Sequence, residues 1–102
     1  MKICIYGLGA VGGLMAARLA SSGANVSAVA RGPTLDAVRQ GGLTLIDSAE
    51  GQERRRRVTI AVSEWPERLG VQDLVVVAVK ATGLPDVARA IAPLLGPHTT
   101  VL

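Results

Sequence analysis

The chain has 102 residues, of which 49% are hydrophobic and 19% charged, and its formal net charge is +3. This length allows one domain with a modest core and not two. The apolar content excludes a disordered chain, and the charge excess, with Arg54–Arg57 holding four of the eleven basic residues in one run, excludes a uniformly basic surface.

"KICIY" at Lys2–Tyr6 reads as a strand, and Ala10–Ser22 as a helix closed by Gly23, a residue suited to the left-handed position after a helix. "NVSAVA" at Asn25–Ala30 predicts a second strand. Pro33–Gln40 predicts a short helix, with Pro33 in its first turn and Gly41-Gly42 stopping it. "LTLIDSAEGQERRRRVTIAV" alternates at both ends around a polar middle. It predicts two antiparallel strands, about Leu43–Asp47 and Arg56–Val62, with Gly51 in the loop between them. "SEWPERLG" is a connector with one helical turn. "DLVVVAV" at 73–79 is a continuous apolar run, as in a strand covered on both faces. Leu84–Leu95 predicts a helix with Pro85 near its start and Pro93 tightening its last turn. Thr99–Leu102 reads as a further strand.

Strands alternating with helices, interrupted by one hairpin, predict an α/β domain over residues 1–102. Its fold class is a Rossmann-type parallel sheet with right-handed crossovers, helices on both faces and a small antiparallel hairpin insert. With one Trp, one Tyr and no Phe, its core has to be built from Val, Leu, Ile and Ala. A strand at Leu102 leads to the expectation that the chain is a piece of something longer, or that a partner covers that end.

Between the first strand and the first helix, Gly7-Leu8-Gly9-Ala10-Val11-Gly12 fits G-x-G-x-x-G. The pattern alone is weak, but here it follows a predicted strand, opens a predicted helix and precedes a second strand one crossover later, which is the context it requires. Gly7 then allows the tight turn, Gly9 lets a pyrophosphate approach the backbone, and Gly12 lets the helix pack close to the strand. The helix N-terminus adds unpaired N–H groups and a partial positive charge. Sites for NAD usually place an acid roughly 20 residues on, at the end of the second strand. Here Ala30 and Arg31 hold that place, and the next acid, Asp36, lies inside the following helix. A guanidinium pairs bidentately with a 2′-phosphate where a carboxylate would repel it. Arg31 is therefore the expected 2′-phosphate clamp and NADPH the expected cofactor. Lys80, directly after "VVVAV", is placed to reach a ribose, a phosphate or a substrate carboxylate beyond the carboxyl end of its strand.

Other residues carry less. Cys4, the only cysteine, reads as a small buried hydrophobe. Arg54–Arg57 has no interleaved aromatics on which bases could stack, so the run reads as a solvated or partner-facing hairpin, and no nucleic-acid partner is expected. His98 has no Cys, His or paired acid near it in sequence, and no metal is expected. Asp73 reads as a group satisfying backbone donors in a turn, and Trp65 as a cover for a core edge. A single cysteine, which cannot form an internal disulfide, points to a reducing compartment, so the expected location is cytoplasmic; no segment reaches the roughly 18 apolar residues of a membrane span and no leader is legible, so no membrane partner is expected.

"KICIYGLGAVGG", "ARGP", "GGLTLIDSAEG" and "DLVVVAVKA" together resemble the N-terminal half of the ketopantoate reductase (2-dehydropantoate 2-reductase) family, and the resemblance spans essentially the whole chain. It implies reduction of 2-dehydropantoate to pantoate with NADPH, in the route to pantothenate and coenzyme A. It implies that Gly7–Gly12 bind pyrophosphate, that Arg31 binds the 2′-phosphate and that Lys80 lines the crevice near the nicotinamide ribose. The family's catalytic Lys and its substrate-binding acid belong to a helical C-terminal domain. No catalytic residue is therefore expected among these 102, and the small 2-oxo acid substrate is met through the other domain. Another NADP-dependent 2- or 3-hydroxyacid dehydrogenase, a dinucleotide-binding module without catalysis, and a homo-oligomer all stay open at this point.

Overall fold

The computed structural model describes residues 1–102 apart from the side chains of Asp47 and Ala49. Its elements are β1 (Lys2–Tyr6), α1 (Ala10–Ser21), β2 (Asn25–Val29), α2 (Gly32–Gly41), β3 (Leu43–Ala49), β4 (Gln52–Val58), β5 (Ala61–Ser63), β6 (Leu74–Val77), α3 (Leu84–Ala90) and β7 (Thr100–Val101). Short 3₁₀ turns lie at Pro66–Arg68, Ala81–Gly83 and Ala92–Leu94. Five strands form one sheet in the order β5-β2-β1-β6-β7, every pairing parallel, while β3 and β4 form a separate antiparallel ribbon. This is the expected Rossmann-type sheet with its hairpin insert.

Strand alternation divides the core into two layers. Ile3 and Ile5 of β1 and Val26 and Ala28 of β2 face Ala16 of α1 and Val38 of α2. Cys4 and Tyr6, one residue out of phase, share the opposite layer with Val29, Val75, Val87 of α3 and Leu94. Small β-branched and Ala side chains suffice because both faces of the central strands are covered. Asp73 does satisfy a backbone donor, but far from its own turn: its carboxylate accepts from the Lys2 N–H at 2.6 Å, while its own N–H donates to the Lys2 carbonyl. Trp65, expected to cover a core edge, is 51% exposed.

The strand expected at Arg56–Val62 is two strands with different partners. Glu50 and Gly51 both have positive φ, +55° and +76°, the signature of a two-residue type I′ turn. So tight a turn lets the ladder run the full length from Ala49↔Gln52 to Leu43↔Val58. The chain then breaks at Thr59 and buries Ile60 in the first core layer, and Ala61–Ser63 pairs with β2 as the outer strand of the main sheet. The apolar run 73–79 is likewise ladder strand only to Val77, and the helix expected over 84–95 ends at Ala90, with Pro93 inside the 3₁₀ turn that follows.

Cys4 is fully buried, and burial pushes its thiol up to about 11, against smaller opposing contributions from the Ser27 hydroxyl and the Val29 backbone. The thiolate is the reacting form. Native protein at pH 8 should therefore release less than about 0.1 equivalent of chromophore from Ellman's reagent, and about one equivalent once guanidinium unfolds it.

Candidate functional site

Chain order fixes where a ligand can sit. From β1 the chain moves outward to β2 and then β5; it returns across β1 to β6 and continues to β7 on the other side. The order reverses between β1 and β6, and ligands of open parallel sheets sit beyond the carboxyl ends of the strands at such a reversal. A cleft of about 460 Å³ opens there. The residues just past β1 (Gly7, Leu8, Gly9), β2 (Ala30, Arg31), β5 (Glu64) and β6 (Val79, Lys80) line it, and Asp86 and Val87 of α3 form its far wall.

The three motif glycines are held by different constraints. Gly7 has φ +108°, and a Cβ on it would stand 2.8 Å from Val79 Cγ1 and 3.1 Å from the Ala78 carbonyl oxygen. A Cβ on Gly12 would fall onto the Gly7 carbonyl oxygen, far inside van der Waals contact, so only a bare residue lets the first turn of α1 rest on the end of β1. Gly9 differs. As the N-cap of α1 it has φ −69° and ψ −168°, which any residue adopts, and a Cβ there would meet nothing within 4 Å. Neither the backbone nor the packing of this chain asks for glycine at position 9, and the open side borders the cleft.

The helix behind this loop is uncapped at its positive end. α1 has no side-chain cap and no acid in its first turn, and its first internal bond runs from Gly13 N–H to the Gly9 carbonyl at 2.8 Å. The amides of Ala10, Val11 and Gly12 precede that bond and have no helical acceptor. Bare backbone beside orphan N–H groups at the positive end of a helix dipole fits an anionic diphosphate.

Charge is concentrated on the rim. Arg31 is the N-cap of α2, in extended conformation, and its side chain is 79% exposed. Its guanidinium reaches across the cleft to 4.0 Å from the Asp86 carboxylate, which Arg89 also holds. Exposed pairs of this kind are weak, so Arg31 is free to take another anion. Lys80, exposed, caps the 3₁₀ turn Ala81–Gly83. Tyr6 ends β1 in the wall of the cleft; burial pushes its phenol up, with the Arg31 charge opposing.

Gly7, Leu8, Gly9, Arg31 and Lys80 thus line one cleft, and Ala10, Val11 and Gly12 form the helix turn directly behind it. Tyr6, Thr34, Glu64 and Asp86 join them without having been singled out from sequence. Glu64 became visible only when Ala61–Ser63 proved to be a strand of the main sheet. Asp86, in the first turn of a helix after Pro85, carried the ordinary mark of a helix start. Among the described residues no cluster of three or more His, Cys, Asp or Glu could hold a metal, and no helix is long and apolar enough to cross a membrane.

The family model described as ketopantoate reductase PanE/ApbA matches residues 3–102. The chain belongs to the ketopantoate reductase family. It is 48% identical to a 2-dehydropantoate 2-reductase of Mesorhizobium japonicum over the whole of this chain and 30% of that protein's length. A crystal structure from Ralstonia solanacearum MolK2, solved as a candidate ketopantoate reductase, superposes with a TM-score of 0.86 at 45% identity, covering 97% of this chain and 30% of that one. D-mandelate dehydrogenase, solved as a ternary complex with NADH and anilino(oxo)acetate, superposes with a TM-score of 0.76 at 27% identity, covering 99% of this chain and 32% of that one. The chain therefore spans about a third of the length of each of these three proteins.

The glycine geometry separates folding from binding. Gly12→Ala should lower the thermal midpoint by roughly 10 °C, because a helix backbone has to move. Gly9→Ala should melt within about 2 °C of the parent yet bind ADP at least about tenfold more weakly. Differential scanning fluorimetry and calorimetry on the two variants check both.

Proposed function

We propose that residues 1–102 are the NADPH-binding domain of a 2-dehydropantoate 2-reductase, an oxidoreductase that reduces the 2-oxo group of 2-dehydropantoate to the hydroxyl of pantoate. Membership of the ketopantoate reductase family and 48% identity to a protein of that name support the reaction. The neighbour solved with NADH supports a nicotinamide dinucleotide as the cofactor class. The single observation carrying the reading is the bare, cleft-facing backbone at Gly9 beside the uncapped start of α1.

Each residue has a physical task in this reading. The first-turn amides of α1 hold the diphosphate, and Gly9 leaves room for it. Arg31, at the carboxyl end of β2 where Ala30 offers no carboxylate, pairs with the 2′-phosphate and selects NADPH. Asp86 keeps the guanidinium near the cleft mouth until the phosphate, a stronger and doubly charged acceptor, replaces it. Lys80 stands at the end of β6, beside the reversal point, where it reaches the nicotinamide ribose. Once bound, the reduced nicotinamide supplies a hydride to the carbonyl carbon. The proton for the resulting oxyanion and the grip on the substrate carboxylate come from a domain outside these residues, in keeping with the third of its relatives' length that this chain spans. An unpaired, buried Cys4 suits a reducing compartment such as the cytoplasm.

Isothermal titration calorimetry tests the cofactor. Arg31→Ala should weaken NADPH by about 10- to 100-fold and change NADH by less than about twofold. Equal losses for both coenzymes overturn the role of Arg31, and absence of heat with either coenzyme overturns the dinucleotide site itself. The substrate is tested by NADPH oxidation in the full-length protein against a panel of 2-oxo acids, where 2-dehydropantoate should give the highest kcat/KM.

A further inference from the structure

Tyr6 is the only tyrosine of the chain. It ends β1 and is 9% exposed, its ring sharing a core layer with Cys4, Val29, Val75 and Val87. No hydrogen bond engages its hydroxyl among the described residues, although a buried tyrosine usually finds its O–H a partner. Nor is that oxygen sealed in the core, since the one enclosed and unpartnered side-chain oxygen or nitrogen among the described residues is Gln72 Oε1. The oxygen is therefore open to solvent, and Tyr6 is one of the residues that line the cleft. It lies there within electrostatic reach of Arg31 and Asp86. Burial also keeps the phenol protonated, so it stands ready as a donor.

The cleft divides into two chemical zones. Its rim carries Arg31, 79% exposed and in water, which suits a phosphate dianion. Val29, Val79 and Val87, which pack with the tyrosine ring, and Ala90 give its lining an apolar part that suits a flat base. An anion would lose its hydration against that part without gaining a countercharge, whereas a purine buries its faces there and still presents ring nitrogens that accept a hydrogen bond.

We propose that Tyr6 recognises the purine base of the dinucleotide, its O–H donating to a ring nitrogen of an adenine seated on Val29, Val87 and Ala90. This assignment rests on the dinucleotide reading above and deepens it. In that reading the base competes with bulk water for the tyrosine hydroxyl, and the chain selects a purine over a base without a nitrogen at that point.

Calorimetry on the intact chain with ADP, 2′,5′-ADP and nicotinamide mononucleotide tests it. Tyr6→Phe should weaken ADP and 2′,5′-ADP by the same factor, about 3- to 10-fold. It should leave nicotinamide mononucleotide unchanged and the ligand-free melting midpoint within about 2 °C of the parent. Unaltered ADP affinity overturns the proposal. A loss confined to 2′,5′-ADP overturns it in favour of the 2′-phosphate as acceptor, and an equal loss for the mononucleotide overturns it in favour of a general packing effect. If the parent chain binds ADP and the variant binds it equally, the dinucleotide site stands and only the Tyr6 role falls; if the parent binds none of the three, both fall. Should the variant not fold, the single Cζ resonance of ¹³C-labelled tyrosine in the parent chain decides. It should shift with ADP and stay fixed with the mononucleotide, and a resonance unmoved by ADP overturns the proposal.

Discussion

The whole site depends on one close approach, that of the first turn of α1 to the carbonyl oxygen of Gly7. A single Cβ at Gly12 would collide with that oxygen, so the helix can lie this near the strand only because position 12 has no side chain. The approach points the helix's uncapped N-terminus at the end of β1. It also brings Ala78, just past β6, within 3.1 Å of the Cβ that Gly12 lacks, which ties the helix to both strands at the reversal point. The sheet provides the crevice and the glycine contact aims a helix dipole along it. Neither would make an anion site alone.

Around that fixed corner the cleft separates charge from apolar surface. Arg31, Arg89, Asp86 and Lys80 stand at or near its mouth, while Val29, Val87 and the Tyr6 ring form its interior. Such a division suits a ligand with phosphates at one level and a flat ring at another. The cross-cleft pair of Arg31 and Asp86 keeps the two walls electrically matched before a ligand arrives. At 4.0 Å, with both partners more than half exposed, it does so at little cost to exchange.

The Arg54–Arg57 run takes no part in this cleft. Its residues are exposed along β4, where Arg55 pairs with Glu53 and the Arg56 guanidinium donates to the Ser21 hydroxyl at 2.7 Å. That last bond fastens the ribbon to the carboxyl end of α1, the end at which a helix dipole favours a cation. Part of this conspicuous charge thus serves to hold the insert against the domain.

Sequence alone determined the parts of the fold set by near neighbours. The glycine spacing, the apolar runs of β1, β2 and β6 and the cap residues of α1 and α2 each carry a local physical signal, and the residues read from them, Gly7 to Gly12, Arg31 and Lys80, converge on one cleft and the helix turn behind it. Tertiary structure decided what depends on distant partners. Val58, Ile60 and Val62 alternate without a break, so nothing local marks the point where pairing passes from β3 to β2. That choice comes from burying Ile60 and completing the edge of the sheet. Glu64 and Asp86 entered the site for the same reason: they follow β5 and β6, and only the pairing of those strands with β2 and β1 brings them to the end of the sheet where Tyr6 stands.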